Sequence, residues 1–152
     1  MEADLTLLEE ALTFFIRSYS RPRYWEIVRH GAGVTIDRPG AHLLRALQDH
    51  PEGYQLNELA GRIGVEAPSV TRTVQRLEED ALVTRTADPH DRRVSRLKLT
   101  RQGQRMLERL RRAKRQHMEA LFTGWQPAER HELAVLLHRL AMSAAAASDQ
   151  TL

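Results

Sequence analysis

Apolar residues recur along this chain at two spacings, and the switch between them marks its elements. From about residue 4 to residue 30, Leu5, Leu8, Leu12, Phe15 and Tyr19 are separated by three or four positions, the repeat that lines up one face of a helix. Pro22 interrupts that helix. A proline pushes the residue before it out of helical geometry, so a kink or break is expected near Arg21. Trp25, Ile27 and Val28 resume an apolar face, and the run GAGVTID reads as a loop. Asp37 is a good N-cap for a second helix with Pro39 in its first turn and Leu43, Leu44 and Leu47 on its core face. A turn follows at His50 to Gly53. Leu56, Leu59, Ala60 and Ile63 then form a short helix that Gly64 ends, where a left-handed backbone costs glycine little.

A helix over about residues 67–80 comes next, with Val70, Val74 and Leu77 inward. Two helices across a tight turn are helix-turn-helix organisation. The spacing then drops to two. Leu82 and Val83 lead into one strand, and Leu97 and Leu99 alternate with Arg96 and Lys98 in another, predicting one buried and one wet face. Thr100 is placed to cap a long helix over about 101–123, with Met106, Leu110 and Ala113 on one side and Leu107 and Leu121 adding apolar surface. Gly124 ends it. Pro127 opens a last helix carrying Leu133, Leu137, Leu140 and Ala144, and the tail from Ser148 is expected to fray. The predicted fold class is mainly α with a small β-hairpin wing (α+β), a winged helix-turn-helix. Its regions are 1–36, an N-terminal dimerisation helix region; 37–100, the DNA-binding domain; and 101–152, C-terminal dimerisation helices.

Charge sharpens this picture. The formal net charge is only +3, but Arg72, Arg76, Arg85, Arg92, Arg93, Arg96, Lys98 and Arg101 crowd one stretch, and local concentration matters more than the total. A polar, basic helix followed by a basic hairpin suits duplex DNA. On the helix, the residues expected at DNA are Pro68, Ser69, Thr71, Arg72, Gln75 and Arg76. Backbone amides at the helix start can meet a phosphate. Arginine can read guanine, and glutamine can read adenine. On the hairpin they are Asp91, Arg92, Arg93, Arg96 and Lys98, with Arg96 and Lys98 placed at phosphates. The bland reading of each is a solvated polar surface or, for Asp91 and Arg93, an ion pair that only stiffens the hairpin.

The terminal helices look too apolar to serve one small winged domain, so a two-fold homodimer is expected, presenting two recognition helices to successive major grooves. Tyr19, Tyr24 and Trp25 fall within seven residues of a chain with 5% aromatics. With Arg23 and His42 they are candidates for an effector pocket, although core packing and the kink at Pro22 are sufficient to explain them.

Other chemistry is poorly represented. There are no cysteines, which removes disulfides, thiolate metal sites and thiol redox switches. The seven histidines form no metal-ligand spacing. No nucleophile motif or glycine-rich phosphate loop occurs, so no enzyme activity and no cofactor are expected. MEADLTLLEE is acidic and amphipathic rather than a basic leader, and no apolar run has membrane-span length. A cytoplasmic protein with no membrane partner is expected.

The segment SVTRTVQRLEEDALVTRTADPHDRRVSRLKLTRQGQ, with D-P-x-D-x-R followed by L-x-L-T, resembles the recognition helix, wing and following helix of MarR-family transcriptional regulators. The element order extends the resemblance over almost the whole chain. It implies a triangular homodimer with intertwined terminal helices. It also implies a repressor of a pseudo-palindromic operator, often released by a small aromatic or anionic molecule. It further implies that Arg93, oriented by Asp91, enters the minor groove, with Arg92 a neighbour able to substitute. Pro22 departs from the family pattern, and the lack of cysteine removes the family's peroxide-sensing mechanism. The alternatives are a winged-helix protein-interaction module and a metal-responsive regulator.

Overall fold

The computed structural model describes residues 1–88 and 93–149. Its elements are α1 (Glu2–Ser20), α2 (Pro22–Ala32), α3 (Arg38–Gln48), α4 (Leu56–Ile63), α5 (Ala67–Glu79), β1 (Val83–Ala87), β2 (Ser95–Leu99), α6 (Arg101–Leu121) and α7 (Pro127–Asp149). The fold is mainly helical with a β wing. The chain forms two compact units, Met1–Lys114 and Arg115–Leu152.

In the first unit the opening helix is two helices. Arg21 is extended, with ψ 143°, and Pro22 starts α2 at its first turn. The break is complete because proline excludes helical geometry from the residue before it. α2 ends at Gly33, whose φ is +60°. The Asp37 side chain caps α3 by accepting from the Gly40 amide at 2.9 Å. At α4 the Gln55 amide donates to Glu58 at 2.8 Å, half of a capping box. Gly64, at φ +65°, turns the chain towards α5.

These helices meet in one core. Val28, Leu43, Leu44, Leu47, Leu59, Val70, Val74, Leu77, Leu82 and Leu97 are all less than 2% exposed. Burying each such side chain contributes about 1.5–3 kcal/mol. Leu107, Leu110 and Ala113 of α6 join the same cluster, while Met106 packs at its edge.

β1 and β2 pair antiparallel, Val83 opposite Leu99 and Arg85 opposite Leu97. Tyr54, in the α3–α4 loop, adds a third rung. Its amide donates to Leu97 O at 3.2 Å, and Leu97 N donates back to Tyr54 O at 2.8 Å. The expected alternation on β2 is only partly realised: Leu97 is buried, but Arg96, Lys98 and Leu99 are all half-buried. The cause is the α3–α4 loop, which covers part of the outer face. Thr100 then caps α6, accepting from Gly103 N at 3.0 Å and donating to Ala81 O at 2.7 Å. A side chain at Gly103 would run into the Leu82 carbonyl, so α6 starts pressed against the turn between α5 and β1.

α1 buries none of its residues. Leu5, Leu8, Leu12 and Phe15, the stripe read from the sequence, lie open together with Leu7, Phe14 and Ile16. In the second unit, Gly124 takes φ +87° after α6, and Gln126 N donates to Glu129 at 2.7 Å to begin α7. Phe122 and Trp125 meet edge-on at 5.4 Å between ring centres. Leu137 and Leu140 of α7 are exposed, with Val135, Leu136 and Met142.

Gly53 holds φ +80°, and a β-carbon there would lie 2.5 Å from Leu97 O. Gly53→Ala should therefore destabilise the protein by about 1–3 kcal/mol. Urea unfolding should show a lower midpoint with an unchanged slope, and amide exchange should rise first at Tyr54 and Leu97.

Candidate nucleic-acid interface

α5 buries Val70, Val74 and Leu77 and turns the opposite face outward. Pro68, Ser69, Arg72, Gln75 and Arg76 are exposed, and Thr71 is half-buried. The helix start offers fewer amides than its position suggests. Pro68 has no N–H, and the Ser69 amide already donates to Glu66 O at 3.0 Å. Thr71 Oγ1 donates to Ala67 O at 2.9 Å and Thr73 Oγ1 to Ser69 O at 3.0 Å, so both hydroxyls turn to their own helix. Arg72 and Gln75 project from the exposed face into solvent. Arg76 donates through Nη2 to Asp37 Oδ2 at 2.6 Å, both side chains being about half exposed.

The wing is held at two levels. Arg85 on β1 places Nε between the carboxylate oxygens of Glu78 on α5, at 2.9 and 3.2 Å. Arg96 on β2 is more enclosed, its side chain 21% exposed. Its Nε donates to Asp88, and its Nη1 donates to Gly53 O at 2.9 Å. The bond to Asp88 raises the Arg96 pKa above its ordinary value. Asp88 is only 6% exposed. Arg96 thus joins the wing to the α3–α4 loop, and its guanidinium is committed inward rather than offered to a phosphate. Lys98 lies 3.9 Å from Glu52. Arg93 is exposed where the described hairpin resumes. Asp91 and Arg92 lie outside the described residues.

The five effector candidates are only partly assembled. Tyr19 and Tyr24 meet at 4.5 Å between ring centres, and Phe15 stacks on Tyr19 at 6.0 Å. Burial raises the pKa of Tyr19. Burial also raises that of Tyr24, helped by Tyr19 and opposed by Arg38. Trp25 packs against the core, and its buried Nε1 has no hydrogen-bond partner among the described residues. Arg23 and His42 are exposed. A cleft of about 430 Å³ lies along α1, but Glu9, Glu10, Thr13, Phe14, Arg17, Ser18 and Arg21 line it.

Sequence reasoning missed three features. Asp37 reads as a helix cap, and nothing in its local sequence announces Arg76. Asp88 reads as part of a loop motif, with no sign that it receives Arg96. Between α3 and α6, Arg45, Arg111 and Lys114 rim a recess of about 70 Å³ floored by Ala41, Leu107 and Leu110. Burial lowers the Lys114 pKa, and Arg45 and Arg38 lower it further. The i, i+3 spacing of Arg111 and Lys114 was the available signal for that cluster.

Among the described residues, no group of three or more His, Asp or Glu is placed to hold a metal, and no helix is long and apolar enough to cross a membrane.

A helix-turn-helix with an exposed basic second helix and a fixed antiparallel hairpin defines the winged-helix class. Residues 34–94 match the model of the MarR family. Among solved structures, the chain resembles the YusO protein of Bacillus subtilis at 28% identity, over 93% of this chain and 94% of that one, with a TM-score of 0.69. A MarR family protein from Bacillus stearothermophilus superposes with a TM-score of 0.79 at 21% identity, over 95% and 98% of the two chains. A mutant of S. aureus MepR bound to an oligodeoxyribonucleotide matches with a TM-score of 0.64 at 20% identity, over 89% and 97%. Residues 34–94 thus carry the sequence pattern of the MarR family, and almost the whole chain has the fold of MarR-family winged-helix structures.

Arg96 and Arg85 make a direct comparison of the two wing attachments. Arg96→Met should lower the urea midpoint clearly more than Arg85→Met, because it strands the buried Asp88 carboxylate, whereas Glu78 stays partly in water. Equal midpoints for the two variants would show that the Arg96 contact does not hold the wing.

Proposed function

We propose that this protein is a sequence-specific DNA-binding transcriptional regulator, acting as a homodimeric repressor on a pseudo-palindromic operator. The observation that carries this reading is the exposed row Arg72, Gln75 and Arg76 on α5, on the same core that fixes the wing. Arg72 and Gln75 have the hydrogen-bonding groups to read base edges in a major groove, and Arg76 is suited to a phosphate or a guanine. Arg93, at the wing, is assigned to the adjacent minor groove, with Asp91 and Arg92 beside it in sequence. Lys98 is assigned to phosphate, and Arg96 to holding the wing that carries them. The DNA-bound state of the MepR mutant is consistent with this use of the fold.

The second copy is assigned to the open apolar stripes. Leaving Leu5, Leu8, Leu12 and Phe15 on α1, and Leu137 and Leu140 on α7, in water is costly for a lone chain. Residues 1–36 and 101–152 are therefore read as the dimerisation regions flanking the DNA-binding domain 37–100. A two-fold dimer presents its recognition helices about 10 base pairs apart, centre to centre. An effector, read as a small aromatic or anionic molecule near Tyr19, Tyr24 and Trp25, would act by favouring a dimer whose helices no longer match that spacing.

Selection of bound duplexes from a random library by the purified protein tests the reading. An enriched inverted repeat is expected; weak, salt-sensitive retention of all sequences alike would contradict it. On the selected operator, Arg93→Ala should weaken binding at least several-fold with the dimer intact, measured by fluorescence anisotropy and sedimentation. Arg76→Ala should cost about 1–3 kcal/mol and relax preference at one position if the residue reads a base. A loss uniform across sequences would make it a phosphate contact.

A further inference from the structure

The bond between Asp37 and Arg76 joins residues 39 positions apart, and neither oxygen of Asp37 is idle. Oδ1 accepts from the Gly40 amide at 2.9 Å, and Oδ2 accepts from Arg76 Nη2 at 2.6 Å. Gly40 is buried, and a β-carbon there would lie 2.8 Å from Oδ1 and 3.0 Å from Ile36, so the carboxylate sits in a fitted place. The next residue, Arg38, donates through Nη1 to Ser20 O at 3.2 Å. The carboxylate therefore cannot follow Arg76 outward without giving up the cap of α3.

We propose that Asp37 is a positioning residue that sets the DNA specificity of the recognition helix by restraining Arg76. The inference rests on the DNA-binding reading above. A loose arginine on α5 would reach phosphates of any sequence. Arginine carries five N–H donors in a fixed fork. With one Nη2 hydrogen engaged by Asp37, the guanidinium plane is held and its remaining donors fan out at set angles, so a duplex seated in one register meets them best. Asp37 thereby disfavours non-specific binding more than specific binding.

Asp37→Asn isolates this role, since asparagine caps a helix as well as aspartate but carries no charge. Affinity for an unrelated duplex should rise several-fold in the variant, with a steeper salt dependence by about one ion. Affinity for the selected operator should rise less or fall, so that the specificity ratio drops at least several-fold. The unfolding midpoint should stay close to that of the parent, whereas Asp37→Ala, which loses the cap, should lower it. In an Arg76→Ala background the effect of Asp37→Asn on the ratio should vanish. An equal gain on both duplexes, no change on either, or the same drop in ratio without Arg76 would each overturn the proposal. A parent protein that prefers no duplex would instead contradict the DNA-binding reading itself, and the two failures are distinguishable in one set of titrations.

Discussion

A two-stranded hairpin has too little packing to hold one position in water, and the wing of this protein stays in place because of Leu97 and its neighbour Arg96. Leu97 is 1% exposed and hydrogen-bonds Tyr54 through both backbone groups, so the hairpin is stitched to the α3–α4 loop as well as paired internally. Arg96 reinforces the stitch from the opposite face through Asp88 and Gly53 O. The carboxylate is buried and the guanidinium mostly covered, so the pair is costly to break from one side. Gly53 makes the approach possible, since no other residue fits its backbone angle beside Leu97 O without strain. The position of the wing against the α3–α4 loop follows from this junction.

The remaining polar contacts grade outward from it. Arg85 with Glu78 is a partly wet brace between wing and α5, and Arg76 with Asp37 is a half-exposed pair at the edge of the exposed face of α5. Exposed pairs are worth little in stability, and their use here is in direction: each fixes where a basic side chain points. The α1 and α7 leucines follow a different logic. Their faces have the helical repeat of a packed seam, but in the single chain they remain open to solvent.

Much of this was legible in the sequence. Helix periods, the caps at Asp37 and Thr100, the glycine stops at Gly64 and Gly124, and the break before Pro22 are all local effects, and each stands where its residue placed it. The D-P-x-D-x-R and L-x-L-T segments pointed to the family that residues 34–94 match. Long-range pairing was not legible. Arg96 reads as a solvent-facing strand position because strand alternation knows nothing of the loop that covers it. Asp37 reads as a cap because its partner is 39 residues away. Tyr19 and Tyr24 do meet, but Arg23 and His42 are exposed, since nearness in sequence does not decide which way a helix faces.

The central claim is that recognition helix and wing act as one rigid DNA-reading body, used twice in a dimer. Hydroxyl-radical footprinting on a selected operator addresses it most directly. The account predicts two symmetric protected regions about one helical turn apart, each with an adjoining minor-groove protection on the outer side from the wing. A single protected region, or two without the flanking minor-groove protection, would contradict it.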